Sequence, residues 1–269
     1  MSFSVSGKTA IVTGAANGVG LAIARHFAEQ SANVMFADMD EARLIDEVGQ
    51  EAQKHDNIAY FAGDLRERLT QANLLSATID AFERVDILVN ASRQMIPSDP
   101  LNPDDDGVEK LLQQNLMTSL RLSQLVAKRM IKQSEAEGQE EGVAGTVINL
   151  SSIAARRTHP DLLGYSISCA ALDQMTRSLA VALAPHRIRV NAVAFGSVLS
   201  ASLKSSLKDH ADYRADIKDH TPLARIAKPT ELAEAVQFLA CDASRFMTGQ
   251  IMTVDGGRSL LDAVAAPAH

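Results

Sequence analysis

The fold is decided by residues 9–27, which read TAIVTGAANGVGLAIARHF. Five β-branched or apolar residues precede a turn that contains Gly14, Gly18 and Gly20, and apolar residues at helical spacing follow it. Glycines allow a tight turn and a close approach of the backbone to a ligand, and the N-terminus of the following helix presents free N–H groups to a pyrophosphate. The stretch therefore predicts an adenine dinucleotide site. The alternative is a glycine-rich loop that binds nothing.

Asp38 supports the first interpretation because it ends the second predicted strand, about 20 residues beyond the glycines. A carboxylate there accepts hydrogen bonds from the ribose hydroxyls of the adenosine and repels a 2′-phosphate. Asp40 and Glu41 add negative charge, and residues 15–17 of the turn offer no basic group. We therefore expect NAD rather than NADP. Alternatively, Asp38 is an ordinary turn residue after a strand.

Short apolar runs alternate with segments of helical periodicity along the chain. The predicted strands are Thr9–Thr13, Asn33–Ala37, Ile58–Phe61, Val85–Asn90, Thr146–Leu150, Arg189–Val193 and Gln250–Val254. The predicted helices are Val19–Gln30, Glu41–Lys54, Glu67–Phe82, Gly107–Lys132, Gly164–Ala184 and Thr230–Ala240. This alternation indicates an α/β fold, a Rossmann-like doubly wound parallel sheet of about seven strands with helices on both faces, in one domain over residues 1–269. Residues 199–228 are expected to form a mobile excursion, and the tail 263–269 to be poorly ordered.

Composition limits the class of protein. Of the 269 residues, 46% are apolar and 22% are charged, and the formal net charge is −7. An acidic chain has no excess of basic residues to neutralise nucleic-acid phosphates. Cys169 and Cys241 have no metal-ligand spacing, and the chain shows neither a signal-peptide pattern nor about 18 consecutive apolar residues. We expect a cytoplasmic protein that binds no metal, nucleic acid or membrane.

Further motifs resemble those of the short-chain dehydrogenase/reductase family, from about residue 8 to residue 257. In chain order they are the turn with spacing G-x3-G-x-G, Gly63-Asp64-Leu65, Asn115 in a long helix, Val147–Ser152, Tyr165, Arg189–Gly196, Thr248–Gln250 and Val254–Gly257. Each motif alone is weak evidence, and their common order makes the resemblance specific. It implies the Rossmann-like fold and a homotetramer or homodimer.

The resemblance also implies hydride transfer between a nicotinamide cofactor and a carbonyl or alcohol substrate. Tyr165 would be the general acid/base, Ser152 would hydrogen-bond the reacting oxygen, and Asn115 would hold a water in a proton relay. Without the resemblance, Ser152 and Tyr165 are equally well cap or surface residues. The residues expected to bind NAD are Gly14, Asn17, Gly18, Val19, Gly20, Asp38, Asp64, Leu65, Asn90, Tyr165, Gly196 and Val198.

Three positions depart from the family pattern. Cys169 replaces the lysine of Tyr-x-x-x-Lys, one helical turn after Tyr165. A nearby cation lowers the pKa of a phenol from about 10, and losing it raises the cost of forming tyrosinate by roughly 3–4 kcal/mol. Arg93 replaces the glycine of Asn-Asn-Ala-Gly, and Phe195 replaces the proline of Pro-Gly. Arg93 either supplies the missing charge from another direction or points to solvent.

Three hypotheses about function follow from these departures. The first is an NAD-dependent oxidoreductase whose proton chemistry is weakened or rerouted. The second is a non-catalytic NAD-binding protein that acts as a sensor or an oligomer partner. The third makes Cys169 itself a nucleophile or redox thiol, with His159 approaching through its loop, although a cysteine inside a helix is usually a packed apolar residue.

The substrate side of the site contains basic residues. Arg156, Arg157 and His159 lie between the two expected catalytic residues, and Arg93 is a candidate to join them. They either form the rim of a pocket for a polar or anionic substrate or belong to a solvated loop face. Residues 199–228 would close over the substrate.

Overall fold

A computed structural model describes residues 2–210, 212–262 and 264. Within these residues one sheet contains seven strands: β1 (Thr9–Thr13), β2 (Asn33–Asp38), β3 (Ile58–Ala62), β4 (Ile87–Asn90), β5 (Gly145–Ser152), β6 (Ile188–Phe195) and β7 (Ile251–Val254). The strand order is β3-β2-β1-β4-β5-β6-β7, and every neighbouring pair is parallel. The predicted Rossmann-like sheet is confirmed.

Six of the helices described below lie in the segments where the sequence predicts them, and two were not predicted. The helices are α1 (Gly18–Glu29), α2 (Glu41–Leu44, continued by the π-helical Ile45–Gly49 and by Gln50–Ala52), α3 (Arg68–Phe82), α4 (Gly107–Leu111, continued by the π-helical Leu112–Met117 and by Thr118–Ala136), α5 (Leu163–Leu183), α6 (Ala201–Asp209), α7 (Tyr213–Asp219) and α8 (Pro229–Ala240). The two that were not predicted, α6 and α7, lie in the excursion expected over 199–228. The tail 263–269 lies outside the described residues, apart from Val264.

Both faces of the sheet are covered, as the apolar strands predict. Successive side chains of a strand point to opposite faces. In β1, Ala10 and Val12 pack into a core with α1 and α8, whereas Ile11 packs into a second core with α3 and α4. All three side chains are fully buried. The sheet therefore lies between two apolar cores.

The site is positioned by a switch in strand order. β1 pairs with β2 on one side and with β4 on the other. The chain therefore leaves the carboxyl ends of β1 and β4 in opposite directions and opens a crevice, which is where such sheets bind ligands. β5 and β6 extend two residues beyond the predicted ends, and their pairing continues to Ser152 opposite Phe195.

The described residues lack two features. No described helix is both long enough and apolar enough to cross a bilayer. No group of three or more His, Cys, Asp or Glu side chains among the described residues is arranged to hold a metal ion.

Candidate active site

The glycine turn leaves no room for side chains. Gly14 and Gly18 have φ values of +66° and +58°, in the region that favours glycine. A Cβ at Gly14 would lie 2.9 Å from the backbone of Ala91 and Ser92. A Cβ at Gly20 would lie 2.0 Å from the carbonyl oxygen of Gly14. The turn is thus an open cradle of backbone at the N-terminus of α1, which suits a pyrophosphate.

Thr13 joins this turn to the loop that follows β4. Its Oγ1 accepts hydrogen bonds from the backbone N–H groups of Ala91 and Ser92, both at 3.0 Å. The two loops enclose a cleft of about 520 Å³. The residues that line it are Gly14, Asn17, Gly18, Val19, Gly20, Asp38, Met39, Arg66, Ala91, Ser92, Arg93, Gln94, Gln114, Leu150, Phe195 and Ser200.

The carboxylate of Asp38 is fixed at the edge of this cleft. One oxygen accepts from the Ala16 N–H at 3.0 Å, and the other accepts from the Asp40 N–H at 3.1 Å. Arg66 lines the same cleft, but its Nε donates to Asp64 at 2.9 Å, and this hydrogen bond lowers the pKa of Asp64. The charge of Arg66 is therefore balanced locally. Sequence reasoning missed Arg66, although it directly follows the Gly-Asp-Leu motif.

Some residues expected to bind the cofactor lie next to the cleft and do not line it. The amide of Asn90 donates to Asn149 at 2.8 Å and to Ser123 at 3.0 Å, in a buried network between β4, β5 and α4. Leu65 is buried in the core, and its carbonyl accepts from Gln71 at 2.7 Å. Like Asp64, these two residues do not line the cleft, whereas the glycines, Asn17, Val19 and Asp38 do.

A second cleft, of about 270 Å³, adjoins the first and shares Arg93, Phe195 and Ser200 with it. It contains both expected catalytic hydroxyls, those of Ser152 and Tyr165, together with Gly196 and Val198. Ser152 ends β5, and its Oγ accepts from the Ala154 N–H at 3.1 Å. Tyr165 lies in the first turn of α5 and is only 3% exposed.

The phenol of Tyr165 lies within hydrogen-bonding reach of the side chains of Ser152 and Cys169. Burial raises the pKa of Tyr165, and Cys169 raises it further, whereas the charge of Arg93 and the hydrogen bond with Ser152 lower it. Tyr165 is therefore a neutral phenol near pH 7, which can donate a proton but accepts one only after it has ionised.

Cys169 lies one helical turn beyond Tyr165, as its spacing predicts, and it is 4% exposed. Burial raises the pKa of its thiol, against the opposing effect of Arg93. A reactive cysteine needs a lowered pKa and some exposure, so these features argue against the third hypothesis. Asp173, a further turn along α5, accepts from the Ser151 hydroxyl at 2.6 Å, and burial raises the pKa of its carboxyl.

Arg93 points into the site, and the solvent alternative is wrong. Its guanidinium carbon lies 4.1 Å from the ring centroid of Phe195 and 5.7 Å from that of Tyr165. Its Nη1 donates to the Ser151 carbonyl at 3.0 Å. Arg93, Phe195 and Cys169 are therefore grouped near Tyr165, because Arg93 stacks on Phe195 and its charge acts on both Tyr165 and Cys169.

Asn115 lies in the π-helical part of α4 and is 4% exposed. Its Oδ1 accepts from the Gln94 N–H at 2.8 Å, and its Nδ2 donates to the Gln94 carbonyl at 2.9 Å and to Ser168 Oγ at 3.1 Å. Ser168 Oγ donates in turn to the Tyr165 carbonyl at 2.8 Å. Asn115 thus connects the loop after β4 to the helix that carries Tyr165. The sequence predicts one regular helix here and gives no signal for the π-helical turn.

The rim of the second cleft includes Arg157 and His159, but not Arg156. Leu203 of α6 and Ile217 of α7 also line this cleft, so the segment expected to cover the substrate does border it. Arg258, which follows β7, completes the rim, and sequence reasoning missed it because it lies far along the chain from the other site residues.

Comparisons with known proteins were made for the whole chain. The family model described as enoyl-(acyl carrier protein) reductase matches residues 14–259. An uncharacterized oxidoreductase of Thermotoga maritima is 34% identical over 260 residues, which cover 93% of this chain and 97% of the relative. The cis-4-hydroxycyclohexanecarboxylate dehydrogenase of Sinomonas cyclohexanicum is 33% identical over 255 residues, covering 93% and 96%.

A solved structure gives a similar result. It is a 7α-hydroxysteroid dehydrogenase in complex with NADH and 7-oxo glycochenodeoxycholic acid. It superimposes with a TM-score of 0.85 at 31% sequence identity and covers 95% of this chain and 96% of its own.

Proposed function

Because the chain belongs to the short-chain dehydrogenase/reductase family, whose oxidoreductases act on alcohol and carbonyl groups, we propose that it is an NAD(H)-dependent member with Tyr165 as its acid/base. One observation carries the proposal. Ser152 and Tyr165 lie together in a cleft that adjoins the glycine-lined cleft. A substrate oxygen held between the two hydroxyls would be next to the dinucleotide site.

The residues of the first cleft fit a dinucleotide. The glycines keep the turn tight at the N-terminus of α1, where a pyrophosphate finds N–H donors, since a Cβ at Gly14 or Gly20 would collide with neighbouring backbone. Asp38 offers the adenosine ribose a carboxylate, and Arg66, which lines the same cleft, is already paired with Asp64. Both features favour NAD over NADP. When bound, the nicotinamide supplies or accepts the hydride.

The proton chemistry falls to two hydroxyls. During reduction of a carbonyl, the Tyr165 O–H donates its proton to the substrate oxygen, and the Ser152 hydroxyl donates a hydrogen bond to the same oxygen. During oxidation of an alcohol, Tyr165 must first lose its proton. Since burial raises the pKa of Tyr165, we expect carbonyl reduction to be the easier direction near pH 7.

Arg93 replaces the missing lysine as a source of positive charge. An arginine side chain does not shuttle protons, so Arg93 acts by electrostatic attraction. It lowers the pKa of Tyr165 against the effect of burial. Random loss of function would scatter substitutions, whereas Arg93 and Cys169 both act on Tyr165 and Phe195 contacts Arg93. This grouping favours a rebuilt site over an abandoned one.

One observation favours the second hypothesis, a non-catalytic NAD-binding protein. The Cys169 thiol lies where the family has a cation, and its proximity raises the pKa of Tyr165 instead of lowering it. In that case the first cleft would still bind NAD, and no carbonyl compound would be turned over.

The test is the Tyr165→Phe variant, assayed by NADH oxidation and NAD reduction with a panel of ketones and alcohols from about pH 6 to 10. Loss of the acid/base should lower turnover by about 10²–10⁴-fold, while NADH should still bind through the glycine turn and Asp38. Tyr60→Phe, in β3 and partly exposed, is the matched control and should keep full turnover. Absence of wild-type turnover at every pH would contradict the proposal and support the non-catalytic alternative.

The same proposal extends to the domain organisation, location, assembly and partners of the protein. We expect a single-domain cytoplasmic protein, assembled as a homotetramer or homodimer, with a small carbonyl or alcohol substrate and no nucleic-acid or membrane partner. The acidic net charge of −7 and the family resemblance support these expectations.

A further inference from the structure

The second cleft has an unusual charge for this molecule. Its described lining residues include Arg93, Arg157, Arg258 and His159, and no aspartate or glutamate is among them. The whole chain carries a net charge of −7, so the cleft reverses the sign of the protein locally. Positive charge concentrated in a narrow cleft attracts anionic ligands.

The arginines at the rim are held by neutral groups. Arg157 donates to the carbonyl of Ser259, and Arg258 Nη1 donates to Ser197 Oγ at 3.0 Å. In the described part of the chain, neither these two nor Arg93 forms an ion pair. Each guanidinium has five N–H donors, so most of its donors remain for a ligand.

The contact with Ser259 places the guanidinium of Arg157 beside the segment that carries Arg258. Two cations from distant parts of the sequence therefore meet at one rim. Guanidinium groups bind carboxylate and phosphate oxygens through paired hydrogen bonds, which gives both affinity and orientation. A charged group bound at this rim would orient the rest of the substrate.

The cleft also limits the size of the substrate. Its volume of about 270 Å³ lies just below the range of about 300–1,000 Å³ that is usual for small-molecule pockets. The same cleft contains Ser152 and Tyr165, so one small molecule reaches both the hydroxyls and the arginines. Resting on the function proposed above, we infer that the substrate is a small hydroxy or oxo compound that carries an oxyanion group, a carboxylate or a phosphate, bound by Arg157 and Arg258.

The test measures binding of ketones to the protein saturated with oxidised NAD, by calorimetry, because a ketone and the oxidised cofactor cannot react. One pair of probes is 4-oxopentanoate and its methyl ester, and the other is acetonyl phosphate and methoxyacetone, all four of which are ketones without a free alcohol. The anionic member of at least one pair should bind about tenfold or more tightly than its neutral partner, since hydrogen bonds to charged groups are strong. The pair that shows the preference identifies carboxylate or phosphate.

The double variant Arg157→Gln, Arg258→Gln should abolish the preference, whereas Arg245→Gln, an exposed arginine outside this cleft, should retain it. A second measurement uses the wild-type protein. Raising the salt concentration should weaken binding of the anionic probe and leave binding of the neutral probe unchanged. Equal binding of both members in both pairs, no binding of either anion, or a preference that survives the double variant would overturn the inference.

The outcome is separable from that of the proposed function. Selective binding of an anion without any turnover with NADH would support this inference and contradict the oxidoreductase proposal. Turnover of neutral ketones without selectivity for anions would support the oxidoreductase proposal and contradict this inference.

Discussion

The glycine turn after β1 and the corner formed by Arg93, Tyr165 and Phe195 face the same crevice, but the first is built from backbone and the second from side chains. The turn is shaped by the absence of side chains, with a Cβ at Gly20 placed 2.0 Å from a carbonyl oxygen. The corner is shaped by side chains, whose charge and bulk can come from more than one position. A backbone cradle has no substitute for glycine, whereas a cation has several possible sources.

This difference explains how the corner has changed without losing its two hydroxyls. Ser152 is positioned by the pairing of β5 with β6, and Tyr165 is positioned by the start of α5. The charge near Tyr165 comes from Arg93 on the loop after β4. The comparison predicts that changes to the turn act on binding and changes to the corner act on turnover.

The largest effect on binding is expected from Gly14→Ala. Its Cβ would lie 2.9 Å from the backbone of Ala91 and Ser92 at a positive φ, so the two loops that enclose the cleft must move apart. Overpacking costs about 1–3 kcal/mol, so NADH affinity should fall about tenfold to hundredfold. Fluorescence titration with NADH measures it.

Gly7→Ala provides the matched control. Gly7 has a similar φ of +73° but no atom within 4 Å of the added Cβ. Both variants should lose a little thermal stability, and only Gly14→Ala should lose affinity. Equal losses of affinity would mean that strain in the backbone, and not the shape of the cleft, controls binding.

The sequence predicts the turn well because the constraint is local. Thr13, the glycines and the apolar spacing of α1 lie within one short stretch, and Asp38 follows at the end of the next strand. Each requirement is a residue type at a fixed distance along the chain. Arg66 was not predicted to line the cleft, since its ion pair with Asp64 is recognised only in the three-dimensional structure.

A smaller effect, on the choice of cofactor, is expected from Asp38→Asn. The amide oxygen keeps an acceptor for the Ala16 N–H but removes the charge that would repel a 2′-phosphate. The ratio of NADPH affinity to NADH affinity should rise about tenfold. A change of that size corresponds to the free energy that one hydrogen bond to a charged group contributes. Asp80→Asn, an exposed carboxylate of α3 that lines neither cleft, is the control and should leave the ratio unchanged. A ratio unmoved in Asp38→Asn would place cofactor selectivity elsewhere.

The corner was predicted less completely because its constraints are distant in sequence. The positions of Ser152 and Tyr165 follow from the family spacing, but the direction of Arg93 depends on the Ser151 carbonyl and on the Phe195 ring. The π-helical turn around Asn115 depends on its bonds to Gln94 and Ser168. Asn90 was expected to bind the cofactor, and its amide is instead occupied by a buried network.

The smallest expected change is a gain, in the variant Cys169→Lys. An ammonium group one turn beyond Tyr165 favours the ionised phenol and so lowers the pKa that burial raises. Because Arg93 already supplies part of this charge, turnover should rise only about threefold to tenfold. Alcohol oxidation needs the ionised tyrosine, so its rise with pH should centre above about 10 in the wild type and shift to lower pH in the variant.

Methionine is similar in length to lysine but carries no charge. The Cys169→Met variant therefore separates the effect of charge from that of bulk, and its turnover should not rise. The double variant Arg93→Gly, Cys169→Lys restores both family residues and removes the repulsion between two neighbouring cations. If that double variant exceeds Cys169→Lys in turnover, Arg93 is a substitute that works less well than lysine. If it falls below the wild type, Arg93 has a role that lysine cannot fill, and the corner has specialised around its guanidinium. No gain in either variant would contradict the electrostatic role proposed for Arg93, since added positive charge beside Tyr165 would then be without effect.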